Sequence, residues 1–166
     1  MHASLRPLSS PQEPTFTVGD LVERISHDGN AATLSERIKL WTRSGLIAPI
    51  DAKFPGTGRH RRYEPTAIID CAVLNALTDA RVEVLARKDT HLALSHARVA
   101  FEKWGKEKKP SQYFLVFISF RGKPFSGQTC YRCDDVVEIK PSAESSIVVN
   151  LSQIFGRLRG KEMAAP

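Results

Sequence analysis

Basic side chains are concentrated in residues 33–63 of this chain of 166 residues. That segment holds seven Lys or Arg side chains against two carboxylates, and the net charge of the whole chain is +6. Guanidinium and ammonium groups donate charge-assisted hydrogen bonds to phosphate oxygens and release counterions from a polyanion. The composition therefore favours a nucleic-acid partner, although charge alone leaves an ordinary solvated basic surface open.

Three of these cations lie on a predicted helix over residues 33–44. Leu34, Ile38 and Trp41 recur at helical spacing, so this helix has an apolar face for packing and a polar face for a ligand. Arginine can pair bidentately with the guanine edge in the major groove, whereas lysine mainly contacts phosphate. The DNA-contact candidates on the polar part of this helix are Arg37, Lys39 and Arg43, and Glu36 is expected to pair with Lys39 within the helix.

A second basic cluster follows the turn sequence Pro-Gly-Thr-Gly at residues 55–58. Alternate side chains of a strand point to opposite faces, so one pair of this cluster is expected to meet phosphate. Tyr63, which follows the cluster, is expected to pack in the core. The four candidates are Arg59, His60, Arg61 and Arg62.

Local signals place both clusters within a compact arrangement of two helices and a hairpin. Thr17 is expected to cap a first helix over residues 17–25, with Asp20 as its capping-box partner. After a turn at residues 26–32 and the helix described above, Gly45 is expected in the left-handed conformation that ends a helix. Residues 46–63 are predicted to form a β-wing that begins as a strand at Leu46 and Ile47.

The remainder of the chain is predicted to be a helix, a second helix, and then a small sheet with a helix. The predicted helices cover residues 65–79, 85–105 and 151–158, and the predicted strands cover residues 113–121, 129–132 and 146–150. The fold class is therefore α+β. The predicted domains are a tail at 1–14, a DNA-binding unit at 15–80, a linking and dimerisation helix at 81–109, and a β-rich unit at 111–160.

An apolar stripe on the helix over residues 85–105 requires a partner. Its width predicts burial, either against the β-rich unit or against the same helix of a second chain. The candidates for dimerisation in this stripe are Leu94, Phe101 and Trp104.

Metal, redox and catalytic chemistry are not predicted. Cys130 and Cys133 are spaced as C-x-x-C, but Cys71 is the chain's only other cysteine, and no second ligand pair is visible. The sequence shows no Ser-His-Asp set, paired carboxylates or phosphate-binding loop. We therefore expect no metal, no cofactor and no enzymatic activity.

The apolar content of 42% and the charged content of 25% are those of a soluble globular protein. No run approaches the roughly 18 apolar residues that a membrane span needs. An odd number of cysteines and no predicted signal peptide indicate a reducing compartment. The expected location is therefore cytoplasmic and associated with the nucleoid.

Three motifs follow one another in the first half of the chain, namely Thr-Val-Gly-Asp-Leu at 17–21, Arg-Ile-Lys-Leu-Trp-Thr-Arg-Ser-Gly-Leu-Ile at 37–47, and Gly58 followed by Arg-Arg-Tyr at 61–63. Together they resemble the winged helix-turn-helix of the MerR superfamily of bacterial transcription regulators. The resemblance covers about residues 16–80. It implies a DNA-binding homodimer with the second helix in the major groove. It also adds Trp41, at the family's aromatic position, to the DNA-contact residues.

The sequence thus predicts a DNA-binding transcriptional regulator that acts as a homodimer on double-stranded DNA. Repression is favoured because no sensor chemistry is visible. Alternatives are a recombination directionality or other DNA-bending factor, and a DNA-tethered protein-interaction module. A small-ligand sensor in the β-rich unit is a further possibility that the sequence leaves open.

Overall fold

A computed structural model describes residues 14–27, 29–50, 61–80, 87–109, 111–119, 127–132 and 145–163. Within these ranges, the chain is α+β, as predicted. The helices are α1 (Val18–Ile25), α2 (Ala31–Arg43), α3 (Thr66–Asp79), α4 (Arg87–Lys106) and α5 (Leu151–Met163). The strands are β1 (Tyr113–Ser119), β2 (Gly127–Arg132) and β3 (Ser145–Asn150).

The first helix begins with the predicted capping box. The backbone N–H of Asp20 donates to Thr17 Oγ1 at 3.2 Å, and the backbone N–H of Thr17 donates to Asp20 Oδ2 at 2.7 Å. The backbone N–H and the hydroxyl of Thr17 both donate to the Asp20 carboxylate, and these two bonds lower the pKa of Asp20. The cap fixes the entry to α1 and orients Leu21 and Ile25 into the core.

The second helix begins two residues earlier than predicted, at Ala31. Asn30 occupies the N-cap position, but its side chain accepts a hydrogen bond from the backbone of His27 instead of capping α2. After α2, Gly45 has a φ of 76°, the left-handed conformation that the sequence predicts.

The predicted strand at Leu46 and Ile47 is not formed. Both residues are buried, but their backbone N–H groups donate to the carbonyl of Trp41 at 2.9 and 3.3 Å. The end of α2 thus takes up the donors that a strand would have used. The Ile50 N–H donates to the Arg62 carbonyl, while the predicted turn at 55–58 lies outside the described residues.

Helix α3 is the centre of the fold. It is buried on almost every side, as expected for a helix that is apolar all round. It contacts α1, α2, α4 and α5, so the other helices are arranged around it. Nine of its side chains are buried, namely Ala67, Ile68, Ile69, Asp70, Cys71, Ala72, Val73, Leu74 and Leu77.

The sheet is antiparallel, with the order β2-β1-β3. Leu115 of the central strand lies opposite Cys130 on one side and Val149 on the other. Helix α5 follows β3 without a loop, and the Asn150 side chain accepts a hydrogen bond from the backbone of Gln153. This bond caps the N-terminus of α5.

The apolar stripe of α4 is covered by α5 of the same chain. The ring centroids of Phe101 and Phe155 are 5.1 Å apart, and those of Trp104 and Phe155 are 5.8 Å apart. Leu94 and Trp104 are buried, and Phe101 is half-buried. The sequence leaves two partners open for this stripe, the β-rich unit of the same chain and a second chain. The structure shows the first of these. Leu94 and Trp104 are not on the surface where a second chain would need them.

One continuous set of buried side chains runs from α1 to α5. Within the described ranges, no helix has the length and apolar content required to cross a membrane.

Candidate nucleic-acid interface

Helix α2 has one buried face and one exposed face. The buried face consists of Leu34, Ile38, Trp41 and Thr42, which pack in the core. With 13 residues, α2 is about 20 Å long. The exposed positions are Ala31, Ala32, Thr33, Glu36, Lys39, Leu40 and Arg43.

Lys39 lies on the exposed face and pairs with Glu36, as predicted. Its Nζ is 2.6 Å from Glu36 Oε1, and the two side chains are 47% and 67% exposed. The hydrogen bond from Lys39 lowers the pKa of Glu36. Because exposed ion pairs contribute little to stability, a phosphate can replace this carboxylate at low cost.

Arg37 is oriented differently from what the sequence suggests. Its Nη1 lies 2.6 Å from both Asn75 Oδ1 and Asp79 Oδ1, and its side chain is 26% exposed. Arg37 therefore connects α2 to the last part of α3. The prediction that Arg37 reaches a base does not fit this arrangement.

Trp41 is not available to a ligand, since it is 4% exposed and belongs to the core. Its inclusion among the DNA contacts followed from the family resemblance and is corrected here. The spacing of Trp41 from Leu34 and Ile38 already indicated the buried face, and that signal was the better guide.

Four cations of the predicted set lie on the surface: Lys39, Arg43, Arg61 and Arg62. Arg43 is in the last turn of α2. Arg62 lies near α1, close enough for its charge to help lower the pKa of Asp20. The other two members of the second cluster, Arg59 and His60, lie outside the described residues.

Tyr63 anchors the end of this second cluster to α2. Its hydroxyl lies 3.0 Å from Thr42 Oγ1, which donates to the Ile38 carbonyl at 2.8 Å. Its backbone pairs with Phe16 through two hydrogen bonds of 2.8 and 3.0 Å. Tyr63 is fully buried, as predicted from the sequence, whereas the role of Thr42 had no sequence signal.

Leu40 is a large apolar residue on the surface of α2. It is 57% exposed and lies on the same face as Lys39 and Arg43. Its position six residues after Leu34, rather than seven or eight, is the signal that separates it from the buried face.

The described residues contain no group of three or more His, Cys, Asp or Glu side chains that could hold a metal ion. Cys71 is buried, and burial raises the pKa of its thiol, which opposes thiolate chemistry. Cys130 lies in β2, and Cys133 is outside the described residues.

No protein-family model matches the sequence, and no curated protein matches it either.

Proposed function

We propose that this chain is a sequence-specific, double-stranded DNA-binding regulator that represses transcription by occupying its operator. In this proposal, α1 and α2 form the helix-turn-helix of a winged module, the hydrogen bond between Ile50 and Arg62 lies at the base of its wing, and α2 enters the major groove. The observation that carries the proposal is the exposed basic face of α2, whose opposite face is fixed in the core.

The exposed face of α2 has the side chains that base readout requires. Arg43 can donate two hydrogen bonds to a guanine, Lys39 can contact a phosphate, and Leu40 can pack against the methyl group of a thymine. The major groove is about 12 Å wide and accepts one α-helix. Four side chains on the opposite face of α2 are already buried in the core. The helix can therefore present these groups without rearrangement of the core.

Arg61 and Arg62 extend the basic surface beyond α2. Tyr63 holds the adjoining backbone through its bonds to Phe16 and its contact with Thr42. A backbone that is already ordered loses less conformational entropy on binding. In the proposed complex, these two arginines contact phosphates that flank the α2 site.

The homodimer belongs to the same proposal, but with a different surface from the one the sequence suggested. Leu92 and Val99 of α4 are 48% and 49% exposed, and their spacing of seven residues places them on one face. A pair of such faces from two chains would bury both side chains. Sedimentation of the Leu92→Glu/Val99→Glu variant should show only monomer, and an unchanged dimer would exclude this face.

The DNA-binding proposal is tested by two double substitutions that remove the same charge. Lys39→Ala/Arg43→Ala removes two cations from α2, and Lys103→Ala/Lys106→Ala removes two exposed cations from α4. Binding is measured to duplexes selected from a random-sequence pool, over a range of salt concentrations. We expect the α2 variant to lose selective binding, because Arg43 reads a base, and to lower the salt slope by about 1, because Lys39 makes one phosphate contact and each such contact contributes about 0.9.

The α4 variant should retain sequence selection and most of the salt slope. Equal losses in both variants would mean that net charge, rather than the α2 face, determines binding. The proposal would also be overturned if the selected duplexes bound the α2 variant with the same affinity as the parent chain.

A further inference from the structure

A cavity of about 570 Å³ lies between the start of α3 and the helices α1, α4 and α5. This volume falls within the range of roughly 300–1,000 Å³ that is typical of small-molecule sites. Apolar walls come from Phe16, Ile69, Phe101 and Leu158, and charged groups come from Arg24, Arg98 and Glu102. No α2 residue lines the cavity, so it is separate from the proposed DNA surface.

Arg98 is held in place at this cavity by a buried carboxylate. Its Nε donates to Asp70 Oδ1 at 2.7 Å, and its Nη2 donates to Asp70 Oδ2. The Asp70 side chain is 3% exposed, whereas that of Arg98 is 44% exposed. A guanidinium has five N–H groups, so the two bonds to Asp70 leave donors for a second acceptor. Asp70 thereby fixes the position of a hydrogen-bond donor at the cavity.

Arg24 supplies a second guanidinium beside an aromatic wall. Its Cζ lies 4.8 Å from the centre of the Phe16 ring. Glu102 also lines the cavity and contributes one negative charge. Asp70 offsets the charge of Arg98, so net charge does not select the ligand. The donors that Arg98 retains favour an acceptor group such as a carboxylate, and Glu102 would repel a second negative charge on the ligand.

We propose that this cavity binds a small monocarboxylate with an apolar body. The carboxylate accepts hydrogen bonds from Arg98 and Arg24, and the body packs between Phe16 and Phe101. Charge-assisted bonds fix the orientation, and burial of the apolar body supplies most of the affinity. This site is additional to the DNA-binding function and does not depend on it.

Calorimetric titration of the full chain, without DNA, provides the test. The probes are 1-naphthoate, decanoate and the neutral 1-naphthalenemethanol, which resembles naphthoate in its ring but lacks the charge. We expect at least one of the two carboxylates to bind, and naphthoate to bind at least about tenfold more tightly than the alcohol. Failure of both carboxylates to bind, or equal binding of naphthoate and the alcohol, would overturn the proposal.

Two variants locate the binding. Thr66 lines the cavity from an exposed position, so Thr66→Trp should fill the cavity and abolish binding. Gln153→Trp is the matched control, because Gln153 is exposed on α5 and does not line the cavity. Retained binding in Thr66→Trp would show that the probe binds elsewhere.

Arg98→Lys keeps the charge but loses the fork of donors that serves Asp70 and the ligand together. It should weaken naphthoate binding by at least about tenfold. If Thr66→Trp does not fold, this variant decides the location: unchanged affinity would exclude Arg98 from the site and overturn the proposal.

Discussion

Helices α2 and α4 both pack against α3, and each sends one arginine to it. Arg37 of α2 reaches Asn75 and Asp79, whereas Arg98 of α4 reaches the buried Asp70. The two helices differ in the side chains that they leave exposed. Helix α2 leaves Lys39 and Arg43 on an open face, while α4 buries its apolar stripe against α5.

This difference shows what an apolar stripe can and cannot indicate. In both helices, the stripe identified from the sequence enters the core of the same chain. Surface chemistry is left to the positions between the stripe residues. We therefore expect substitutions on the exposed face of α2 to affect function and leave stability unchanged. Substitutions in the buried stripe of α4 should lower stability.

The largest effect is expected at the contact between α4 and α5. Phe155 is fully buried and contacts both Phe101 and Trp104. Phe155→Ala should lower the free energy of unfolding by about 3–5 kcal/mol, through lost burial and the cavity left behind. Urea denaturation measures this change. Gln153→Ala, at an exposed position of α5, is the control and should change stability by about 0.5 kcal/mol or less.

A small effect of Phe155→Ala would mean that α5 does not cover the stripe in solution. The urea midpoint of the parent chain could instead rise with protein concentration while that of Phe155→Ala does not. This result would indicate that a second chain covers the stripe of α4.

The two arginine contacts with α3 should differ in strength. Arg98→Met leaves the Asp70 carboxylate buried without its partner, and we expect a loss of about 2–3 kcal/mol, reduced from the fully buried case because Arg98 is 44% exposed. Arg37→Met breaks a contact with Asp79, which is 55% exposed, and should cost about 1 kcal/mol. Thermal unfolding of the two variants side by side measures the difference, and equal losses would contradict the contrast in burial.

The Asp70 contact also predicts a dependence on pH. Burial raises the pKa of Asp70 above 3.8, although Arg98 partly opposes this shift. The folded chain then retains this proton to higher pH than the unfolded chain does. The stability that this group contributes is therefore complete below pH 3.8 and is lost as the pH rises through the folded pKa.

Asp70→Asn isolates this term, because both proteins share every other titrating group. As the pH increases from about 3 to about 7, the free energy of unfolding of the parent chain should fall relative to that of Asp70→Asn. Urea denaturation at several pH values measures the difference. A relative rise would show that Arg98 dominates and that the pKa of Asp70 is lowered.

Much of the fold could be predicted because its signals are local. The capping box of Thr17 and Asp20, the left-handed Gly45 and the apolar composition of α3 each depend on residues close in sequence. The predicted strand at Leu46 and Ile47 was wrong for the opposite reason. Their backbone donors are taken by the Trp41 carbonyl, an alternative that β-propensity does not measure.

The candidate site was harder to predict than the fold. Periodicity identified the buried face of α2, but it could not show that Arg37 would bond to Asn75 and Asp79, which lie far along the chain. Family resemblance placed Trp41 on the DNA, although its spacing placed it in the core. Which element covers a stripe, and which cation finds a carboxylate, depends on tertiary packing that a sequence pattern does not contain.

The smallest effect on stability is expected from the substitution with the largest proposed effect on function. Lys39 and Arg43 are exposed, and the carboxylate that pairs with Lys39 is itself 67% exposed. Lys39→Ala/Arg43→Ala should therefore change the Tm by less than about 2 °C, since removal of exposed charges leaves the core unchanged. Scanning calorimetry measures this value beside Lys103→Ala/Lys106→Ala, the double variant of α4. A substantially larger fall in the α2 variant would mean that its basic face supports the fold, and loss of DNA binding there would then no longer identify a contact surface.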